Sequence, residues 1–547
     1  MQDHLVLNLS QYDRFKSANL TKTELNQAAN FIKGLLRESY LYNYDFHDFL
    51  PRARNWFAKV YGKSVATNRR FLKKLINSGL VEEDTNYTWT GNSEIKGDCK
   101  SYRINPSLRH ELLEIVSFDN KYAKPPQANN SPACRYQRKV LRELRTTIKT
   151  KEIKKGLNGF LGEIVTKDYV LSRIDINNQI TGKILEIDGK YYKKSRYVHE
   201  QKAKGNFVYK SNLKIGVRPE SEYNDFIEEQ RRVVSHFYAN HLLNLKYRRV
   251  SADIDVTNGR IYTNYTHLPS KRTTNKGEYP ALIDLFTLGG ERLYTIDLKQ
   301  SQITFAFKQM LDELDATLYQ IAEGVPLVQI PFKWVGEVST ARNVGELVKD
   351  AQKIKSKVVQ IMRSGSDFYL NFSRILKAKK RIEINRSKAK RMVFEVIFSG
   401  ISASESKSLI KIAYPEFVAF VDCYKRRATE YFKNLEMENP EMFQRIKTTR
   451  SKNRSKRNKQ TNYKTLGSSA FAVKLQKIET GVFIDRVSEN LRIEGMKHLT
   501  KHDSITVKES DLPLAKKMIE EALNDAIGYG LYELRVETPK HIKNFNI

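Results

Sequence analysis

The stretch Arg292-Leu293-Tyr294-Thr295-Ile296-Asp297-Leu298-Lys299-Gln300-Ser301-Gln302-Ile303 reads as a short β-strand that ends in a carboxylate. Period two puts Tyr294, Ile296 and Leu298 on one face, and Leu293, Thr295 and Asp297 on the other. An acid at the end of a buried strand is a rigid mount for a hard cation. Alone, it is equally an aspartate that begins a turn. A second acid lies far downstream, in Lys501-His502-Asp503-Ser504-Ile505-Thr506-Val507. Met496 to Thr500 and Ser504 to Lys508 can pair as a hairpin around His502-Asp503, with Asp503 at a tip where it can meet Asp297.

The 547 residues exceed one compact core, so two or three domains are expected. Lysine and arginine total 95 against 62 acids, a net charge of +33, which suits a polyanionic partner. Interleaving of that charge with 29 tyrosines and 26 phenylalanines favours nucleic acid over a membrane surface. Cys99, Cys134 and Cys423 are far apart, without metal-ligand spacing, and their odd number fits free thiols in a reducing cytosol. No apolar run is long enough to span a bilayer and no signal pattern opens the chain, so a soluble cytoplasmic protein is expected.

Residues 1–118 look like a separate module. Phe71, Leu72, Leu75 and Ile76 form an apolar helix face, Arg69, Arg70, Lys73 and Lys74 lie mostly off it, and Gly79 stops the helix. Two β-like pieces follow, Tyr87 to Trp89 and Ser101 to Ile104, so the whole resembles a winged helix-turn-helix. In that fold Arg69, Arg70 and Lys73 would meet DNA; a winged helix used for protein contacts is the plainer alternative. Residues 119–137, rich in Pro and Asn, read as a linker. Residues 138–220 form a basic region of unassigned role in which Val170 to Tyr192 alternates like strands. Phe226, Val233, Val234, Phe237, Leu242 and Leu243 predict an amphipathic helix over 221–246. Residues 437–464 are so charged that a solvated basic loop is expected.

Between the two acids, Arg386, Lys390, Phe394 and Phe398 recur every fourth residue. Each such step turns a helix about 400°, so the four side chains form one slowly drifting stripe, cationic then aromatic. Cations can hold the phosphates of a nucleoside triphosphate while rings pack on sugar and base. The plainer reading buries both phenylalanines in a core and leaves Arg386 and Lys390 in water. Asp297 and Asp503 together can share two Mg²⁺ ions, which suits in-line transfer of a nucleotidyl group.

Over roughly residues 220–547 the chain resembles the superfamily of family A DNA polymerases and bacteriophage-type single-subunit RNA polymerases. The strand-end Asp297, the His502-Asp503 hairpin and the Arg-x3-Lys-x3-Phe-x3-Phe helix carry the resemblance. So do Asn258-Gly259-Arg260-Ile261-Tyr262, similar to a motif beside the primer–template minor groove, and Leu475-Gln476, similar to a duplex-touching segment. The resemblance implies an α+β right-hand polymerase over 221–547, with palm, fingers and thumb behind the winged-helix module. Asp297 and Asp503 would hold two Mg²⁺ ions, Arg386 and Lys390 would bind the triphosphate, and Lys390 would serve as general acid to pyrophosphate. Phe394 and Phe398 would pack on the nucleotide, Arg260 and Gln476 would contact DNA template and primer, and His502 would position the primer end.

The two branches differ on the sugar. Asp297-x3-Ser301-x-Ile303 and His502-Asp503-Ser504 look like the RNA polymerase versions, whereas the helix spacing with Phe394 looks like the DNA polymerase version. Gln302 stands where DNA enzymes keep a bulky sugar gate, and Phe398 stands where both branches keep Tyr. These positions tilt the expectation toward a DNA polymerase; a winged helix at the N-terminal end, where no paired-carboxylate exonuclease pattern is seen, leads to the expectation of a phage or plasmid-like replication protein without a proofreading domain. The alternatives are an RNA polymerase or primase on the same scaffold, and a non-catalytic DNA-binding replication initiator.

Overall fold

The protein is described here by a computed structural model over residues 2–41, 49–62, 69–84, 99–108, 112–119, 131–325, 334–339, 343–452 and 462–539, excluding 172, 178–179, 181–183, 188–189, 212–213, 256, 270–271, 275–276, 280–281 and 402–403. It is a mixed structure of helices and small antiparallel sheets.

Strand β1 (Gln2–Asn8) leads into helices α1 (Leu9–Ser17) and α2 (Lys22–Leu41), strand β2 (Leu50–Ala53), helices α3 (Arg54–Tyr61) and α4 (Arg70–Asn77), and strands β3 (Val81–Asp84), β4 (Cys99–Ile104) and β5 (Leu113–Asp119). Strands β2, β3 and β4 form one sheet with β4 central. As the pattern predicts, α4 buries Phe71, Leu72 and Leu75, and Gly79 ends it in the left-handed region at φ +73°. Those side chains meet Phe31, Phe57 and Tyr102 in an aromatic core. Of the two predicted β pieces, Ser101 to Ile104 lies in β4, and Tyr87 to Trp89 lies outside the described residues.

β1 and β5 pair antiparallel, Leu5 opposite Val116 and Val6 opposite Ile115. Their alternation divides the ribbon between two cores. Leu5, Leu7, Val116 and Phe118 join the N-terminal core, while Val6 and Leu113 join a second core built mainly from residues 140–293.

The linker expected over 119–137 is not one throughout. Helix α5 (Pro132–Glu143) starts inside it, because Ser131 caps the Cys134 amide (3.2 Å), proline suits the first turn, and Cys134, Gln137, Val140 and Leu141 are buried. Residues 120–130 lie outside the described residues. The basic stretch that follows mixes short helices with a three-stranded sheet and a separate hairpin, Ile184–Ile187 with Lys190–Lys193. Helix α6 (Tyr223–Lys246) buries Phe226, Val233, Val234, Leu242 and Leu243, much as its periodicity predicts.

The sheet that positions the site is centred on β6 (Glu291–Leu298). Helix α7 (Ser301–Ala322) follows, then α8 (Phe368–Lys380), α9 (Arg386–Phe398), α10 (Pro415–Glu438) and α11 (Tyr463–Thr480). Strands β7 (His498–Lys501) and β8 (Ser504–Lys508) form a hairpin, and β9 (Leu534–Glu537) adds an edge strand to β6. On one face of β6, Ile296 and Leu298 enter the largest core with α7–α11. On the other, Leu293 packs with Leu499. The loop expected over 437–464 is corrected in part: Pro440–Lys452 is helical, started by Asn439 accepting from the Met442 amide (3.0 Å) and anchored by buried Phe443 against Phe432 and Leu466, while 453–461 lie outside the described residues.

Candidate active site

Asp297 closes β6 directly opposite Ser504 of β8. The Leu298 amide donates to the Asp503 carbonyl at 3.1 Å, so both acids sit at one end of one sheet. Between β7 and β8 only His502 and Asp503 make the turn, and His502 takes the left-handed conformation such turns require (φ +56°). Asp503 Oδ2 accepts from the Ser301 hydroxyl at the start of α7. Burial, then the charges of Asp503 and Glu537, push the Asp297 carboxyl up to about 8, with Arg535 and Lys390 opposing. The His502 ring packs edge-on against Tyr262 at 5.6 Å, and its Nδ1 is buried without a hydrogen bond. Burial, then Arg260, Lys501 and His267, push it down to about 3, so it is neutral at physiological pH.

Helix α9 presents Arg386, Lys390 and Phe398 outward, while Phe394 is half-buried against the core and Tyr369. Ala389, Met392, Val393, Val396 and Ile397 fill the core instead. Arg386 donates Nε to Asp367 at 2.6 Å and lies 5.3 Å from the centre of the Tyr369 ring. Lys390 Nζ is 5.3 Å from the Phe394 ring, which meets Phe398 edge-on at 5.7 Å. Phe398 is 42% exposed, so the plainer reading of a core aromatic fails there. Lys390 is near enough to Asp297 to oppose its upward shift slightly, and Asp503 to add slightly to that of Tyr369. Fully buried Lys425 donates to the carbonyls of Val396 (2.6 Å) and Ser399, tying down the C-terminal end of α9. Arg391 pairs with Asp175 of the basic region, which places that region beside α9.

The remaining predicted residues converge on a residue the motifs do not include. Glu479, 1% exposed, accepts from Gln302 Nε2 (2.6 Å), the Ser301 hydroxyl (3.2 Å) and Arg260 Nη2. Gln476, one turn earlier on α11, accepts from Asn258 Nδ2 at 3.1 Å. Thr480 donates to the Asn258 carbonyl at 2.9 Å. Gly259, at φ +77°, lets that turn lie flat on α11, where a Cβ would come within 2.8 Å of Thr480 Cγ2. Glu479 falls three residues after Gln476, hence on the same helix face, and that spacing was the available signal. Asp367, Tyr369, Lys425, Arg535 and Glu537 carry no comparable signal.

In the N-terminal unit the three predicted DNA-contacting residues separate. Arg70 and Lys73 are exposed on α4. Arg69 turns inward, donating Nη1 to the Tyr102 hydroxyl (3.1 Å) and stacking 4.6 Å over Phe57. Its φ of +40° puts it at the helix start, where the side chain is drawn onto the aromatic core; this corrects its expected place on the open face.

Among the described residues no group of three or more His, Cys, Asp or Glu is arranged to hold a metal ion. Asp297 and Asp503 alone nevertheless fit a hard divalent cation: they are carboxylate donors held close by backbone pairing, against their mutual repulsion. Among the described residues no helix is long and apolar enough to cross a membrane.

No family model matches the chain, and no curated protein matches it. Among solved structures, the POL domain of Pol1 from M. smegmatis in complex with DNA primer-template and dNTP is similar at a TM-score of 0.34 and 11% identity, over 73% of this chain and 68% of that one. That likeness is too distant to assign a role to any residue.

Proposed function

We propose that the chain is a template-directed nucleotidyltransferase that extends a primer on DNA, with DNA polymerase activity as the first reading. One observation carries it: Asp297 and Asp503 meet at a sheet end while Lys390, from the cationic–aromatic stripe of α9, acts on Asp297. Asp297 and Asp503 would hold Mg²⁺, which when bound supplies charge stabilisation for the attacking and leaving oxygens. Arg386 and Lys390 bind the triphosphate, and Lys390 is placed to give a proton to the departing pyrophosphate. Phe398 offers an open ring to the nucleotide. Neutral His502, at the turn, lies against the primer end. The sheet around β6 serves as palm and α9 as the fingers helix.

From α2 to β4 the described elements run helix, strand, two helices and two strands, with β4 central in its sheet, which supports a winged-helix reading, Arg70 and Lys73 facing DNA. A phage- or plasmid-like replication role fits a polymerase joined to such a module.

A second reading, use of ribonucleotides, is favoured by one contact. Gln302 commits Nε2 to Glu479 and leaves Oε1 buried without a partner, an acceptor of the kind a 2′-hydroxyl satisfies. Primer extension with dNTPs and NTPs in parallel, with Mg²⁺, tests both. Extension by dNTPs supports the first reading, preference for NTPs the second, and extension with neither sinks the enzyme.

A further inference from the structure

Glu479 ties together two separate parts of the proposed site through three donors. It accepts from Ser301 and Gln302 at the start of α7, and from Arg260 in the turn before Ile261. Ser301 donates also to Asp503, so the same carboxylate is one hydroxyl away from the proposed metal mount. At 1% exposure an unpaired carboxylate there is costly, and it persists because these donors surround it. A helix surface of this kind ordinarily takes an apolar residue, so a carboxylate needs a reason.

The contacts supply one. A carboxylate accepts only, so Gln302 must turn its Nε2 toward it and its Oε1 away. Oε1 is then the buried atom without a partner. Arg260 Nε is likewise buried without a partner, while Nη2 is held by Glu479. Both side chains are fixed with one polar atom unspent.

We propose that Glu479 is the positioning residue of the nucleotide site, fixing the orientation of Gln302 beside the sugar and of Arg260 beside the primer–template from a place that touches neither. This rests on the polymerase reading above.

The test has two arms. In single-nucleotide incorporation, Glu479→Gln is expected to move the dNTP-to-NTP ratio of kcat/KM toward unity by about tenfold, because the replacement amide no longer dictates which end of Gln302 faces it. Glu479→Asp, which keeps the charge and loses one methylene, is expected to restore most of the discrimination. In the second arm, fluorescence anisotropy measures primer–template duplex binding without nucleotide for the parent, Arg260→Ala, Glu479→Gln and the double variant. The two losses are expected to be non-additive. An unchanged sugar ratio in Glu479→Gln overturns the proposal, as do additive binding losses. If the parent incorporates neither nucleotide, the polymerase reading falls, and the binding cycle alone decides whether Glu479 positions Arg260. Should Glu479→Gln fail to fold, Glu479→Ala takes its place in both arms, with an unchanged ratio again overturning the proposal.

Discussion

Asp297 and Asp503 are brought together by backbone, not by reach: the residue after one donates its amide to the carbonyl of the other at 3.1 Å. Two like charges are thereby imposed on each other by the sheet. Asp297→Asn or Asp503→Asn is therefore expected to cut nucleotide incorporation by about 100-fold or more, as loss of a charge-stabilising group does. The Asp297→Asn protein should melt no lower than the parent in metal-free buffer, because repulsion is removed. A melting temperature well below the parent would show that the acid is structural.

The pH dependence has a defined sign. The Asp297 carboxyl stands at about 8 in the fold against 3.8 ordinarily, so the unfolded chain gives up this proton first. Its contribution to stability is complete below about 3.8 and is lost as pH rises to about 8. Melting curves of parent and Asp297→Asn should thus diverge in favour of the variant between pH 4 and 8. Mg²⁺ should narrow that gap, most at the alkaline end, where the carboxylates need not release protons to bind it.

Lys425 bears on the C-terminal end of α9. Its ammonium donates to Val396 and Ser399 carbonyls from a fully buried site. Lys425→Met removes both contacts and should destabilise the protein by about 2–4 kcal/mol in urea unfolding. Incorporation should fall too, through a higher nucleotide KM, because the end of α9 that carries Phe398 is freed.

Arg69, Arg70 and Lys73 adjoin in sequence but should behave differently. Arg70→Ala and Lys73→Ala should each weaken duplex binding several-fold and lower the slope of log affinity against log salt by about one. Arg69→Ala should leave that slope unchanged and cost about 1 kcal/mol of stability, since its guanidinium serves Tyr102 and Phe57. Salt titrations by anisotropy separate the two outcomes.

Much of this geometry was legible in the chain. Alternation in β6, a two-residue turn at His502-Asp503 and the four-residue spacing of α9 are local patterns, and local patterns survive folding. The helix over Tyr223–Lys246 followed from the same logic. What escaped was set by distant partners. Arg69 looked open because nothing near it in sequence announces Tyr102. The stretch after Glu438 looked like a solvated loop because a single buried residue, Phe443, anchors it. β9 was missed because Leu534 and Val536, alternating with Arg535 and Glu537, make too short a run to stand out. Glu479 was missed because its donors lie on α7 and on a turn far upstream.

The ribbon of β1 and β5 deals its side chains alternately to two interiors, Leu5 and Leu7 to one, Val6 and Leu113 to the other. The first hundred or so residues are therefore a party wall rather than an annex. A fragment cut after Asp119 would carry away Val6 and Leu113 as bare grease and leave an unroofed trough in what remained. Grafting or trimming this protein at that seam would require repainting both sides of the cut.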